Sequence, residues 1–373
     1  MADIPTRTRA LDLLGRLIGR SVADTAIDEL ARLRVAVPRN RLVDAVTGGV
    51  DPRVKITDVQ VPTRAGMARV RVYDPAAQTT PPDAGSSPGS AECVGESGRR
   101  EGGTAVGDAP PLVVLIHGGG WVLGTLEAYD PLAAHIAHAV GAVVASVEYR
   151  LAPEHPAPAA IYDCLDVVRA LIGRVADGPS TRRDSSSEAG ADSTGAPALL
   201  GTRVDACRYA LVGDSAGGNL VAVLTQLLRD AGDPAAAAQV LLYPSVDSTC
   251  LRRSKIEFAR GPILSRRDTD AFFAHYLGTG PGALSPENPL ISPLLGDLGA
   301  LPPALIQTAG LDPLRDEGIA YAQGLARAGV PTEHTDYSQA PHGFASWPGA
   351  SVGAWQHRPE LTDFLRRHLY PAP

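Results

Sequence analysis

The chain has 373 residues, 44% hydrophobic and 20% charged, with a net charge of −7. Its length allows one large core or two modest domains, and its acidic balance excludes the basic face that a nucleic-acid partner needs. Cys93, Cys164, Cys207 and Cys250 are widely spaced with no Cys-x-x-Cys pair. Neither a zinc site nor a disulfide framework is therefore expected, and a reducing, cytoplasmic setting fits. No apolar run reaches the roughly 18 residues of a membrane span, and Arg7, Arg9, Asp12 and Arg16 interrupt the N-terminus too often for a signal peptide.

In chain order, apolar residues from Leu11 to Leu33 recur at helical spacing and predict two short amphipathic helices. The alternating runs Val54–Val61 and Ala68–Tyr73 predict an antiparallel hairpin at a sheet edge, turning near Ala65-Gly66. Residues 76–110 and 178–201 are rich in Pro, Gly, Ser and charge and have no apolar period. They cannot bury enough surface to offset their ordering entropy, so both read as disordered insertions. Between and beyond them, Leu112–Ile116, Ala142–Val147, Arg208–Val212, Val240–Tyr243 and Ala304–Ala309 are short apolar runs suited to central parallel strands. Helices are expected at about 159–172, after residue 215, and over 317–328, with a last strand at 332–337. That alternation implies an α/β fold with a mostly parallel, doubly wound sheet. Residues 245–300 break it; with residues 1–50 they are expected to form a helical cap over the strand ends, leaving 51–373 as the main domain. Asp268–Leu277 alone reads equally well as another layer helix.

Gly213-Asp214-Ser215-Ala216-Gly217 lies between a strand and a helix, the position of a nucleophile elbow. Ser215 at its tip needs a base and an orienting acid downstream. Of the histidines after it, His342 stands in a turn directly after the last predicted strand. His275 sits in the cap, His334 inside a strand and His368 near the C-terminus, where structural or exposed roles are expected. Asp312 follows a strand end and can accept a hydrogen bond from His342 Nδ1–H; Asp316, its rival, reads as a helix start, where the dipole favours a carboxylate. His117-Gly118-Gly119-Gly120-Trp121 follows the strand at 112–116. Its glycines leave backbone N–H groups open to an anionic oxygen, and with the N–H of Ala216 they suit an oxyanion hole. The loop lacks the Gly-Lys-Ser/Thr or Gly-x-Gly-x-x-Gly pattern of a nucleotide site.

Together, His117–Trp121, Tyr149-Arg150-Leu151-Ala152-Pro153-Glu154, Gly213–Gly218, Asp312–Glu317 and His342-Gly343-Phe344 resemble the hormone-sensitive lipase family, the bacterial family IV esterases. The resemblance runs from about residue 50 to the C-terminus, outside the two insertions. It implies an α/β-hydrolase fold with Ser215 as nucleophile, His342 as base and Asp312 as acid. Gly119 and Gly120, with Ala216, match the oxyanion donors, and Tyr149–Glu154 would hold the active-site loops. The chain departs from the family in its long insertions, in Ser338-Gln339-Ala340 before the histidine turn, and in Ser346–Gln356, which is placed to line or lid the pocket.

The implied activity is a serine carboxylesterase acting on short- to medium-chain acyl esters, with no cofactor and no metal. An amide or carbamate hydrolase or a deacetylase with the same triad is the alternative. A non-catalytic ligand receptor on this scaffold is disfavoured by the presence of His342. A homodimer is open to such a chain, though no residue here reads out an oligomeric state.

Overall fold

The structure, a computed structural model, describes residues 21–34, 39–75, 109–174, 196–351 and 353–371. The expected helix from residue 10, most of both insertions, and Cys93 lie outside these residues.

Eight strands form one sheet: β1 (Lys55–Thr63), β2 (Gly66–Asp74), β3 (Pro111–Ile116), β4 (Val143–Val147), β5 (Asp205–Asp214), β6 (Ala238–Leu242), β7 (Ala304–Leu311) and β8 (Thr332–Pro341). Their spatial order is β1-β2-β4-β3-β5-β6-β7-β8. β2 runs antiparallel to β1 and β4, and every other pairing is parallel. The edge hairpin and the central parallel strands thus stand where the hydrophobic patterning puts them.

Among the described residues the helices are α1 (Ile27–Leu33), α2 (Arg41–Thr47), α3 (Asp130–Ile136), α4 (Ala159–Leu171), α5 (Ala196–Leu200), α6 (Ala216–Asp230), α7 (Arg253–Glu257), α8 (Arg266–Leu277), α9 (Arg315–Arg327) and α10 (Ala354–Leu369). Strand side chains alternate between two faces, so every central strand feeds two cores. Leu112, Val114 and Ile116 pack with Leu165, Val168, Leu220 and Leu224 from α4 and α6. Val113 and Leu115 pack with Leu132 and Ile136 of α3 and with Leu361 and Phe364 of α10. Burial of each such side chain stabilises the fold by about 1.5–3 kcal/mol, which is why central strands carry no polar alternation.

Three details differ from the patterning. Residues 196–200, assigned to a disordered insertion, form α5, because Ala196 and Leu200 find a place in the core beside Val204 and Tyr209. At the end of the other insertion, the Pro110 carbonyl accepts from Asp205 N–H at 2.8 Å and extends the pairing of β3 with β5. Cys164 and Cys250 are free thiols, but Cys207 is disulfide-bonded. Wide spacing in sequence says nothing of proximity in space.

The N-terminal segment and α8 are held together by polar contacts. Ser21 Oγ donates to Asp268, and Arg267 pairs with Asp24 at 2.6 Å. Arg34, just after α1, donates to the carbonyls of Val122 and Ala152, both at 2.8 Å, and grips the Glu154 carboxylate. The N-terminal segment is thereby fastened to the loop that follows β3. Among the described residues no helix is long and apolar enough to cross a membrane.

Candidate active site

Ser215 sits at the junction of β5 and α6 with φ 52 and ψ −117, a conformation a non-glycine residue adopts only when its surroundings dictate it. Three bonds hold it: Ser215 N–H donates to the Leu242 carbonyl at 2.8 Å, and its own carbonyl accepts from Asn219 N–H at 3.1 Å and Ser245 N–H at 3.2 Å. The turn is tight enough that a Cβ at position 217 would lie 2.0 Å from the Ile116 carbonyl oxygen. Glycine there is a steric necessity.

His342 lies in the turn after β8 and Asp312 in the loop after β7. The His342 ring bridges them: Nε2 is 2.9 Å from Ser215 Oγ and Nδ1 is 2.7 Å from Asp312 Oδ2. Asp312 is fully buried, and its other oxygen accepts from Leu314 N–H at 2.9 Å, which fixes the carboxylate plane. Tyr243 and Phe344 continue this packing, with Tyr243 edge-on to both His342 and Phe344 at 5.0 Å. The three residues singled out by order and loop position are therefore brought into one hydrogen-bonded chain.

The rejected candidates lie elsewhere. Asp316 accepts from Ser254 N–H at 2.8 Å and pairs with Arg315, as a helix-start carboxylate does. His334 contacts the Thr308 hydroxyl from within β8, and His368 contacts the Phe364 carbonyl near the end of α10.

The loop after β3 curls over the serine. Gly119 and Gly120 have φ of 107 and 61, and a Cβ at 120 would fall 2.2 Å from the Phe272 ring of α8. Gly118 N–H is already committed to Asp214 Oδ1 at 2.8 Å and to Tyr129 Oη at 2.9 Å, so it is unavailable to a ligand. Gly119, Gly120 and Ala216, by contrast, all border the same cavity as Ser215. The Tyr149–Glu154 stretch braces this loop from behind. Tyr149 Oη donates to the His117 carbonyl at 2.8 Å, its ring stacks on His117, and Ala152 N–H donates to the Trp121 carbonyl at 2.9 Å. Burial pushes the His117 imidazole down to about 4, leaving a neutral ring with a structural role.

The cavity has a volume of about 310 Å³, with Ser215 and His342 at its polar end. Ile263, Leu264, Phe272, Phe273, Leu314 and Trp347 make most of the remainder apolar. Ser346 and Trp347 come from the segment that interrupts the sequence before the last helix. Sequence reasoning missed Asp214 and Tyr129, which support the serine from below. Asp214 is itself part of the elbow motif, so its signal was present, whereas nothing around Tyr129 marks it. Among the described residues there is no cluster of His, Cys, Asp and Glu able to hold a metal ion.

The sequence and the fold have counterparts among known proteins. Residues 113–346 match a family described by its alpha/beta hydrolase fold. The chain belongs to that family. Within it, the carboxylic ester hydrolase LipN of Mycobacterium tuberculosis is 36% identical over 326 residues, covering 86% of this chain and 72% of the relative. The carboxylesterase NlhH of the same organism is 41% identical over 248 residues, 65% of this chain and 69% of its own length. Among solved structures, an ester hydrolase from the metagenome of Lake Arreo, complexed with a bipyridine phosphonate derivative, superposes with a TM-score of 0.75 at 29% identity and covers 98% of this alpha/beta hydrolase and 99% of its own chain. A hyperthermophilic esterase from the archaeon Pyrobaculum calidifontis gives a TM-score of 0.73 at 29% identity, with 98% of both chains covered.

Proposed function

We propose that this alpha/beta hydrolase is a serine carboxylesterase in which Ser215 is the nucleophile, His342 the general base and acid, and Asp312 the orienting carboxylate. The observation that carries the assignment is the unbroken chain from Ser215 Oγ to His342 to Asp312, at 2.9 and 2.7 Å, opening into an apolar cavity. His342 Nε2 accepts the serine proton as Oγ attacks the ester carbonyl, and Asp312 stabilises the imidazolium that forms. The N–H groups of Gly119, Gly120 and Ala216 receive the developing oxyanion. His342 then returns the proton to the leaving alcohol. A water molecule, deprotonated by the same ring, attacks the acyl-enzyme and releases the acid, regenerating Ser215 Oγ–H.

The size and mostly apolar lining of the cavity support short- to medium-chain acyl groups as the substrate class. We also propose that the N-terminal 50 residues and the 245–300 excursion act together as a cap. Support for this comes from the Ser21–Asp268 and Arg267–Asp24 contacts, and from Phe272 lying against Gly120.

Replacing Ser215 with Ala removes the attacking oxygen and leaves the fold's contacts in place. Turnover of p-nitrophenyl butyrate is expected to fall at least about 10³-fold, with no change in circular dichroism. Retention of more than a tenth of wild-type turnover would overturn the assignment.

A further inference from the structure

A second cavity, of about 390 Å³, shares no lining residue with the first. Its walls come from three parts of the chain: Gly49, Asp51 and Arg53 ahead of β1, Pro131 and His135 on α3, and Arg358 in the second turn of α10. Arg358 Nε and Nη2 are buried, and neither has a hydrogen-bond partner among the described residues. His135 Nε2 is buried and unpartnered in the same way. Among the described lining residues Asp51 is the one carboxylate, and it is engaged by another lining residue, Arg53, which clasps it at 2.9 and 2.7 Å.

Two guanidinium nitrogens held out of water, with no counter-charge among the described residues, are costly, and the planar fork of N–H groups they belong to matches the paired oxygens of a carboxylate or phosphate. We propose that this cavity binds a small molecule bearing a carboxylate or phosphate group, gripped by the Arg358 fork and by His135 Nε2–H.

The charges around the cavity agree. Burial lowers the Arg358 guanidinium from its ordinary value. Burial, with the repulsion of Arg358 and His138, pushes the His135 ring down to about 4; the attraction of Asp51 is too weak to reverse this. His357, which directly precedes Arg358 in sequence, is pushed down to about 3 by burial, Arg358 and His135. Both rings are therefore neutral near pH 7, and among the described residues lining the cavity Arg358 is the cation left without a partner. A bound oxyanion would supply that partner and would join the N-terminal segment, α3 and α10. Gly349 N–H donates to the Val46 carbonyl at 3.0 Å, so these walls adjoin the segment carrying Trp347, which lines the Ser215 cavity.

The test titrates the full chain, in buffer free of both anions, with sodium phosphate and separately with sodium acetate. Sodium chloride at equal ionic strength is the reference. Calorimetry and thermal unfolding are expected to show saturable binding and a saturable rise in Tm with at least one oxyanion and none with chloride. Phosphate alone indicates a phosphate-bearing ligand, acetate alone a carboxylate, and both the shared oxyanion site. Arg358→Gln is expected to abolish the response, and because it removes an unpaired buried charge it should not lower the Tm measured without oxyanion. His135→Leu, which leaves Arg358 in place, is expected to raise Kd about tenfold and keeps the test independent of how Arg358→Gln folds. Binding is expected to persist in Ser215→Ala. No saturable response to either oxyanion, a response unchanged in both cavity variants, or one lost in Ser215→Ala would overturn the proposal.

Discussion

Asp214 offers the sharpest quantitative check on how the elbow is supported. It lies directly before Ser215, is buried, and accepts hydrogen bonds from Gly118 N–H at 2.8 Å and Tyr129 Oη–H at 3.0 Å. Burial raises its carboxyl from 3.8 to about 6, while those two hydrogen bonds and the charge of His342 pull more weakly in the other direction. A carboxyl whose folded value lies above its unfolded value favours the fold most when protonated. Its contribution is therefore greatest below pH ~4 and is lost as pH rises through about 6. A shift of about 2 units corresponds to roughly 3 kcal/mol, of which about 2 kcal/mol falls between pH 4.5 and 7.5. Asparagine has nearly the same shape and cannot ionise. Its oxygen can keep the Gly118 bond, and its amide can donate to Tyr129 once that hydroxyl turns. Urea unfolding of the wild type and Asp214→Asn at several pH values should show the variant gaining about 2 kcal/mol on the wild type between pH 4.5 and 7.5. A difference that stays flat with pH, or moves the other way, would refute the claim that burial dominates at this carboxylate.

Other outcomes follow from packing. Gly217→Ala puts a methyl group 2.0 Å from the Ile116 carbonyl oxygen; equilibrium unfolding should show a loss at or beyond the upper end of the about 1–3 kcal/mol usual for overpacking. Phe272→Ala removes the ring above Gly120, and the ratio of kcat/KM for p-nitrophenyl octanoate to that for the acetate should rise about tenfold. An unchanged ratio would mean that Phe272 does not bound the acyl pocket. Lys255 Nζ pairs with the buried Glu317 at 2.7 Å and donates to the Asp247 carbonyl at 2.8 Å, tying α7 to α9. Burial pushes the Glu317 carboxyl up and Lys255 opposes it, so Lys255→Met should cost about 3–5 kcal/mol by leaving an uncompensated charge. Thermal unfolding of Lys255→Met/Glu317→Gln should recover a substantial part of that loss.

The central sheet was legible because strands buried on both faces admit little but Val, Leu, Ile and Ala. Leu112–Ile116 could be little else, whereas Ala304–Ala309 also buries Gln307 and Thr308. The triad was legible for a related reason. In a parallel sheet the strand ends share one rim, so residues far apart in sequence meet if each follows its strand. Ser215 after β5, Asp312 after β7 and His342 after β8 satisfy that condition, and Asp316, one helical turn further on, does not. α3 was not anticipated, although its alanines are buried. Its apolar residues are too small and too evenly spread to make a clear periodic face. α5 escaped for the opposite reason: two core contacts at the end of a polar, serine-rich stretch are invisible to any averaging window.

What stayed hidden in the sequence were interactions decided by the approach of distant elements. Gly120 reads as one glycine in a row of three, and only the ring of Phe272, 152 positions later, makes a side chain there impossible. Asp214 reads as part of a short motif until Tyr129 and Gly118 are seen to share its oxygens. Arg34 looks like a surface charge at a helix end, yet it holds the carbonyls of Val122 and Ala152 together and pairs with Glu154. Each case places a polar or sterically awkward group where the serine's surroundings must be rigid. Backbone N–H groups stabilise an oxyanion only if they cannot turn away from it. The loop bearing Gly119 and Gly120 has little side-chain bulk of its own to hold it. Its rigidity is supplied by Asp214 beneath, by Tyr149 and Ala152 behind, by Phe272 above, and by Arg34 from the N-terminal segment. A local motif can name the chemistry of this site, but the precision that chemistry needs comes from four separate parts of the chain.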